Sequence, residues 1–155
     1  MNQNIQSKIK DKIQEDISPT RNLSGVHLKI VFGIAILWTF FQLWYASPFP
    51  FWFNFGMFKG LPARAIHLGF ALLLAFLIFP YSRSKKISFI DILISIIGTV
   101  CCFYIYFFYD QLVDRGGILL KITLGGYIIP VELIIGSIGI LILLEATRRV
   151  IGIPL

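Results

Sequence analysis

Four long apolar segments dominate the chain, and the stretches between them hold most of its charged residues. The segments cover residues 28–46, 63–79, 87–109 and 126–144. Each approaches the roughly 20 residues that an α-helix needs to cross a hydrocarbon core about 30 Å thick. Since backbone groups in lipid must bond to one another, long uninterrupted runs are typical of helices and not of barrel strands. The pattern predicts an all-α membrane protein with four transmembrane helices.

The first 27 residues are polar and show a different repeat. Isoleucines recur every four residues at Ile5, Ile9, Ile13 and Ile17, with charged side chains on the other faces, until Pro19 interrupts the pattern. This spacing predicts a short amphipathic helix on the membrane surface, although a solvated tail fits it equally well. We therefore divide the chain into a cytoplasmic segment, residues 1–27, and a transmembrane domain, residues 28–155.

Composition and charge exclude a soluble domain and set the orientation. Of 155 residues, 57% are hydrophobic and 14% charged, more apolar surface than a domain of this size can enclose. The net charge of +6 comes from basic residues that flank the apolar segments, which favours a membrane surface over nucleic acid. With a cytoplasmic N-terminus, ten Lys and Arg lie inside and four outside. The positive-inside rule thus predicts that both termini are cytoplasmic.

Small and polar residues form a stripe along each predicted span, as expected for faces that contact another helix. In chain order the stripes are Ala35, Thr39, Gln42 and Ala46; Arg64, His67, Ala71 and Ala75; Asp91, Ser95, Gly98 and Cys102; and Glu132, Gly136 and Gly139.

Ionisable residues inside spans are candidates for function because charge in lipid is costly. Glu132 could couple transport to protons, or it could pair with Arg64 or Lys121 at the interface. We predict an interfacial ion pair for Asp91, near Lys85 and Lys86, and a hydrogen-bonded packing role for His67.

Glu145, Arg148 and Arg149 lie at the end of the fourth span and could serve either as a cytoplasmic anchor or as a docking surface.

The sequence contains no recognisable catalytic motif or metal-ligand spacing. No catalytic, cofactor-binding or metal-binding residue is therefore predicted, and the chain is not expected to be an enzyme.

Three strings, in this order, resemble the N-terminal region of fused TRAP transporter permeases. They are residues 64–80 (RAIHLGFALLLAFLIFP), 109–115 (YDQLVDR) and 144–152 (LEATRRVIG). In that family a four-helix part similar to a small subunit precedes a large permease part. The likeness covers about residues 28–155, and fused members continue beyond that point. We therefore expect a separately encoded small subunit, a fragment or the product of a disrupted fused gene.

The resemblance implies secondary active uptake of an organic acid across the cytoplasmic membrane of a prokaryote, driven by symport with an ion. An extracytoplasmic binding protein would deliver the substrate, and the small part would brace the large permease part and help dock that binding protein. Substrate and ion sites belong to the large part. For this chain we expect structural or docking roles for seven residues: Arg64, His67, Asp110, Glu132, Glu145, Arg148 and Arg149.

Two other functions remain open at this point. A stand-alone four-helix membrane enzyme could bind an anionic cosubstrate with Arg148 and Arg149. A small proton-coupled exporter could use Glu132 as its carboxylate.

Overall fold

The computed structural model describes residues 21, 23–81, 88–124 and 127–151, which form five helices and two short strands. In chain order these are α1 (Gly25–Ala46), α2 (Phe49–Phe53), α3 (Gly60–Ile78), α4 (Phe89–Asp114), β1 (Ile122–Leu124), β2 (Tyr127–Ile129) and α5 (Val131–Ile151). The predicted amphipathic helix before Pro19 lies outside the described residues.

Three of the described helices are long and apolar enough to cross a membrane: α1, α3 and α4, with 22, 19 and 26 residues. At 1.5 Å per residue they measure about 33, 28 and 39 Å, close to or beyond the hydrocarbon thickness. They indicate a multi-pass membrane protein. Helix α5 has 21 residues, but its uncharged part, between Glu132 and Glu145, is only twelve residues long.

The predicted fourth segment, residues 126–144, is wrong at both ends. Tyr127–Ile129 is a strand that pairs antiparallel with Ile122–Leu124, and α5 continues to Ile151. Pro130 explains the boundary, because a proline disfavours helical conformation in the residue before it and is tolerated where a helix starts. The predicted third segment, residues 87–109, also ended too early, since α4 continues beyond Tyr109 to Asp114.

Helix α3 occupies the centre of the described bundle and packs against α1, α4 and α5. Two apolar clusters surround it. One joins it to α4 and α5 through Leu72, Phe76, Cys102, Ile142 and Ala146; the other joins it to α1 through Val31, Leu74 and Leu77. Such close packing is what holds helices together in lipid, where burial of apolar groups contributes little.

The predicted contact stripes agree with the packing on one helix. All four stripe residues of α4, from Asp91 to Cys102, are buried. Gly98 lies so close to α5 that a Cβ there would stand 2.8 Å from Ile142 Cγ2.

On the other helices the stripes were right only in part. Ala35 and Ala75 pack against the two apolar clusters and Glu132 is buried, but other members are exposed. Thr39 and Ala46 on α1 are exposed, and so is Gly136 on α5. On α3, Arg64 and His67 are exposed, because the neighbouring helices cover the other sides of this helix.

Aromatic residues fill the connection between α1 and α3. The five-residue helix α2 ends at Asn54 in the left-handed conformation, and Gly56, also at positive φ, turns the chain back against the Trp44 ring. Trp52 and Phe55 are each 72% exposed. This is the composition expected of an aromatic belt at a membrane interface.

Candidate functional site

A cluster of five charged residues joins the described helices at one end of the bundle. We call it the arginine–aspartate cluster, and it consists of Arg21, Asp91, Glu145, Arg148 and Arg149. Asp91 lies in the first turn of α4, Arg149 in the last turn of α5, and Arg21 precedes α1. The end of α3 also lies here, so consecutive long helices run in opposite directions.

Asp91 is held between two arginines. Its Oδ2 accepts a hydrogen bond from Arg21 Nη2, and its Oδ1 accepts one from Arg149 Nη1, both at 2.7 Å. The three side chains are 1–2% exposed. The prediction that Asp91 forms an ion pair is thus confirmed, but its partners are two arginines and the pair is buried within the bundle. Lys85 and Lys86 lie outside the described residues. Charge-assisted bonds of this kind are among the stronger ones in proteins.

The same arginines bind the carbonyl end of α3. Arg21 donates from its backbone N to Ile78 O at 2.9 Å and from Nη1 to Leu77 O at 3.2 Å. Arg149 Nη1 lies 3.4 Å from Phe79 O, and its guanidinium stacks over the Phe76 ring at 4.7 Å. These carbonyls have no partner within the helix and carry its negative dipole end, so two cations here are stabilising.

Glu145 extends the cluster along α5. Its carboxylate accepts two hydrogen bonds from Arg148, at 2.7 and 2.8 Å, and one from Arg149 Nε at 2.8 Å. Three arginines therefore face two carboxylates, a net charge of +1 for the cluster. The predicted anchor and the predicted ion pair of Asp91 belong to one connected network.

Glu132 forms a second polar centre at the opposite end. Its Oε1 accepts hydrogen bonds from Tyr104 Oη at 3.0 Å and Arg115 Nη2 at 2.5 Å, and its Oε2 accepts one from Leu120 N at 2.7 Å. The predicted partners, Arg64 and Lys121, were wrong. Arg115 follows α4 directly and is therefore the basic residue within reach of the start of α5.

An exposed ion pair joins the start of α3 to the end of α4. Lys59 Nζ donates to Asp110 Oδ1 and lies 5.4 Å from the centre of the Tyr109 ring. The hydrogen bond with Asp110 raises the pKa of Lys59 above its ordinary 10.5. Asp110, one of the predicted structural residues, thus contacts α3, but both side chains are mostly solvent-accessible, 61% and 71%.

His67 contacts α1 and not the interior of the bundle. Trp38 Nε1 donates to His67 Nδ1 at 3.3 Å, and Gln42 Nε2 contacts the same nitrogen. The prediction that His67 is hydrogen-bonded is confirmed, but its side chain is exposed and does not pack in the interior of the bundle. Arg64, one turn earlier, is exposed as well, and within the described part of the chain it makes no hydrogen bond or salt bridge.

A cavity of about 320 Å³ lies between α3, α4 and α5. Its walls are apolar apart from Tyr104 and Glu132 at one end and the two cysteines, Cys101 and Cys102, on α4. The glycines of α5 leave this side open because they carry no side chain. Among the described residues, no group of three His, Cys, Asp or Glu side chains is placed to hold a metal ion.

Sequence reasoning missed Arg21, Arg115 and Tyr104 as members of these centres. Arg115 and Arg21 looked like loop and tail residues, and only the antiparallel arrangement of helices brings them to Glu132 and Asp91. One signal was available: a carboxylate in the first turn of each of two apolar helices requires a cation nearby.

Comparison with known proteins gave no match, whether with family models, with curated proteins or with solved structures.

Proposed function

We propose that the chain is the small-subunit portion of a TRAP-type secondary transporter for organic acids, bracing the large permease part and helping to dock an extracytoplasmic binding protein. The proposal starts from the three strings of residues 64–80, 109–115 and 144–152. These strings coincide with the central helix α3, the end of α4 with its ion pairs, and the part of α5 that contacts Asp91.

The arginine–aspartate cluster carries the proposal, because it suits a brace. It ties the segment before α1 and the ends of α3, α4 and α5 to one another with charge-assisted hydrogen bonds. Asp91 and Glu132 are both buried and both paired with arginine. A carboxylate that carries protons must be able to lose its partner during each cycle, and Glu132 is instead fixed by three donors. This arrangement supports a scaffold over a proton-coupled exporter.

We further propose that α5 is a fourth membrane-spanning helix and that both termini lie in the cytoplasm of a prokaryote. The uncharged part of α5 measures only about 18 Å at 1.5 Å per residue. However, the charges at both of its ends are paired with arginines or carboxylates of the bundle, which lowers the cost of placing them near lipid. The arginine–aspartate cluster then lies on the cytoplasmic side, as the positive-inside rule requires.

Uptake measurements test the proposed function. Cells that express the complete transporter are compared with cells that lack this chain, using a panel of radiolabelled monocarboxylic and dicarboxylic acids. We expect uptake of at least one acid to be lost without the chain and restored by supplying it.

Two variants refine the experiment. Asp91→Ala should reduce the restored uptake because it opens the arginine–aspartate cluster, whereas Leu141→Ala, on an exposed apolar face of α5, should restore uptake fully. Uptake that is unchanged when the chain is removed would overturn the proposed function.

A further inference from the structure

The cavity between α3, α4 and α5 lies in the half of the bundle that contains Glu132. In the other half, α3 and α5 meet through Phe76, Ile142 and Ala146, which belong to one buried cluster. Toward Glu132, the cavity of about 320 Å³ occupies the space between the helices. We call it the α5 groove, since α5 lines it from Glu132 to Leu143, opposite parts of α3 and α4.

The α5 groove is open to the exterior of the bundle. Ile105 of α4 and Ile140 and Leu143 of α5 line it, and their exposed fractions are 36%, 60% and 38%. Gly136 also lines it, and a Cβ at this glycine would have no atom within 4 Å. A molecule outside the bundle can therefore enter the groove from the side.

The walls of the groove suit an uncharged, apolar occupant. Among the described residues that line it, Glu132 alone is charged, and its carboxylate is paired with Arg115 and fixed by three hydrogen bonds. Asp114 and Lys121, sequence neighbours of the groups that bond Glu132, are exposed and carry opposite charges. This end of the groove therefore favours neither an anion nor a cation.

The dimensions of the groove distinguish an acyl chain from a helix. Glu132 and Leu143 lie eleven residues apart on α5, which corresponds to about 16 Å, or the depth of one leaflet of a hydrocarbon core about 30 Å thick. The volume divided by this length gives a mean cross-section of about 20 Å². An α-helix with its side chains is about 10–12 Å in diameter, so its cross-section is about 80–110 Å². The groove thus admits a chain one carbon atom wide, but not a helix of a partner or of a second copy.

A groove of this kind is unfavourable when empty, because wall atoms that face a void lose their dispersion contacts. We propose that the α5 groove binds one acyl chain of a phospholipid from the leaflet that borders Glu132, with the head group beside the pair of Glu132 and Arg115. In the proposed orientation this is the extracytoplasmic leaflet. The inference rests on the proposed membrane position of α5 and not on the transport activity.

Photolabelling in a bilayer tests this inference. The full chain, with any protein that copurifies with it, is reconstituted in phosphatidylcholine that contains a small share of phosphatidylcholine with a diazirine halfway along one acyl chain. After illumination, mass spectrometry identifies the labelled residues. We expect Cys101, which is only partly exposed on the groove wall, to be labelled at least as strongly as Leu133, which is 53% exposed on α5 and does not line the groove.

A side chain at Gly136 should block the groove. Gly136→Leu should lower the labelling of Cys101 about tenfold, which corresponds to about 1.4 kcal/mol, and leave that of Leu133 unchanged. Gly33→Leu on α1 is the matched control, because a Cβ there also has no atom within 4 Å and Gly33 does not line the groove. Gly136→Ala occupies less of the groove and should lower the labelling by a smaller factor, which keeps the test decisive if the larger side chain prevents folding.

The other outcomes separate this inference from the proposed membrane position of α5. Labelling of Leu133 without Cys101, as expected if side chains of a partner or of a second copy fill the groove, would overturn the inference alone. Absence of label from both residues would overturn the membrane position of α5 as well. Labelling of Cys101 that is insensitive to Gly136→Leu would also overturn the inference.

The head group provides a final test. Phosphatidylglycerol with the same diazirine chain should label Cys101 as strongly as phosphatidylcholine does, because the charges beside the groove are balanced. Labelling about tenfold stronger with this anionic lipid would overturn the conclusion that the groove recognises the acyl chain alone.

Discussion

Removing the carboxylate of Asp91 should destabilise the protein more than removing any exposed acid. In Asp91→Ala, two buried arginines lose a partner that each contacts at 2.7 Å. Arg149 keeps Glu145, but Arg21 keeps only the backbone carbonyl of Leu77. The substitution therefore leaves one guanidinium, in a side chain 1% exposed, without a counter-charge.

The size of the effect follows from this burial. Breaking a buried ion pair by removing one partner costs about 3–5 kcal/mol, because the remaining charge stays in a medium of low polarity. Asp91→Ala should fall in this range. The matched control is Asp114→Ala, at the other end of the same helix, where the carboxylate is exposed and within the described residues has no ion-pair partner. We expect its free energy of unfolding to stay within about 0.5 kcal/mol of the original.

Equilibrium unfolding in mixed micelles with increasing sodium dodecyl sulfate measures both variants, with tryptophan fluorescence as the signal. Arg21→Met is added alone and together with Asp91→Ala to complete a double-mutant cycle. The double variant should be less destabilised than the sum of the single ones, with a coupling of about 2 kcal/mol. Equal stability of Asp91→Ala and Asp114→Ala, or strict additivity in the cycle, would refute the reasoning.

Three further predictions concern packing, Glu132 and orientation. Gly98→Ala should cost about 1–3 kcal/mol in the same unfolding assay because its Cβ would stand 2.8 Å from a methyl carbon of α5, whereas Gly136→Ala, with no atom within 4 Å, should cost nothing measurable. Glu132→Ala should destabilise more than Glu132→Gln, which still offers one acceptor oxygen and should cost about 1 kcal/mol; equal losses would mean that the three donors contribute little. In a background without the native cysteines, a membrane-impermeant maleimide added to intact cells should label Asn54→Cys and not Ser24→Cys, and the opposite pattern would reverse the proposed orientation.

The helical spans could be predicted from the sequence because apolar length alone determines them. Residues 28–46, 63–79 and 87–109 each lie largely within a helix of the structure. The stripe from Asp91 to Cys102 was also predictable, since small and polar residues at helical spacing have few reasons to face lipid.

The exposed side of α3, the partner of Asp91 and the short strand before Pro130 could not be predicted, because they depend on how the elements pack in three dimensions. The stripe on α3 consists of small and polar residues, like the stripe on α4, yet its first two members, Arg64 and His67, are exposed, because three neighbours leave one side of α3 uncovered. The pairing of Arg21 with Asp91 joins residues 70 positions apart. Similarly, the strand before Pro130 was hidden in an apolar run, where short strands and helices cannot be distinguished by periodicity.

The short uncharged part of α5 has a consequence for biogenesis. A ribosome delivers the chain from its N-terminus, so Arg21, α3 and Asp91 are all available before α5 is made. With twelve uncharged residues and charges at both ends, α5 is a weak substrate for independent insertion. The partners of its first carboxylate and its last arginine, Arg115 directly after α4 and Asp91 in α4, are synthesised before it. As the fourth span that we propose, α5 should therefore enter the membrane last and only alongside α3 and α4, so that its insertion depends on correct synthesis of the earlier helices.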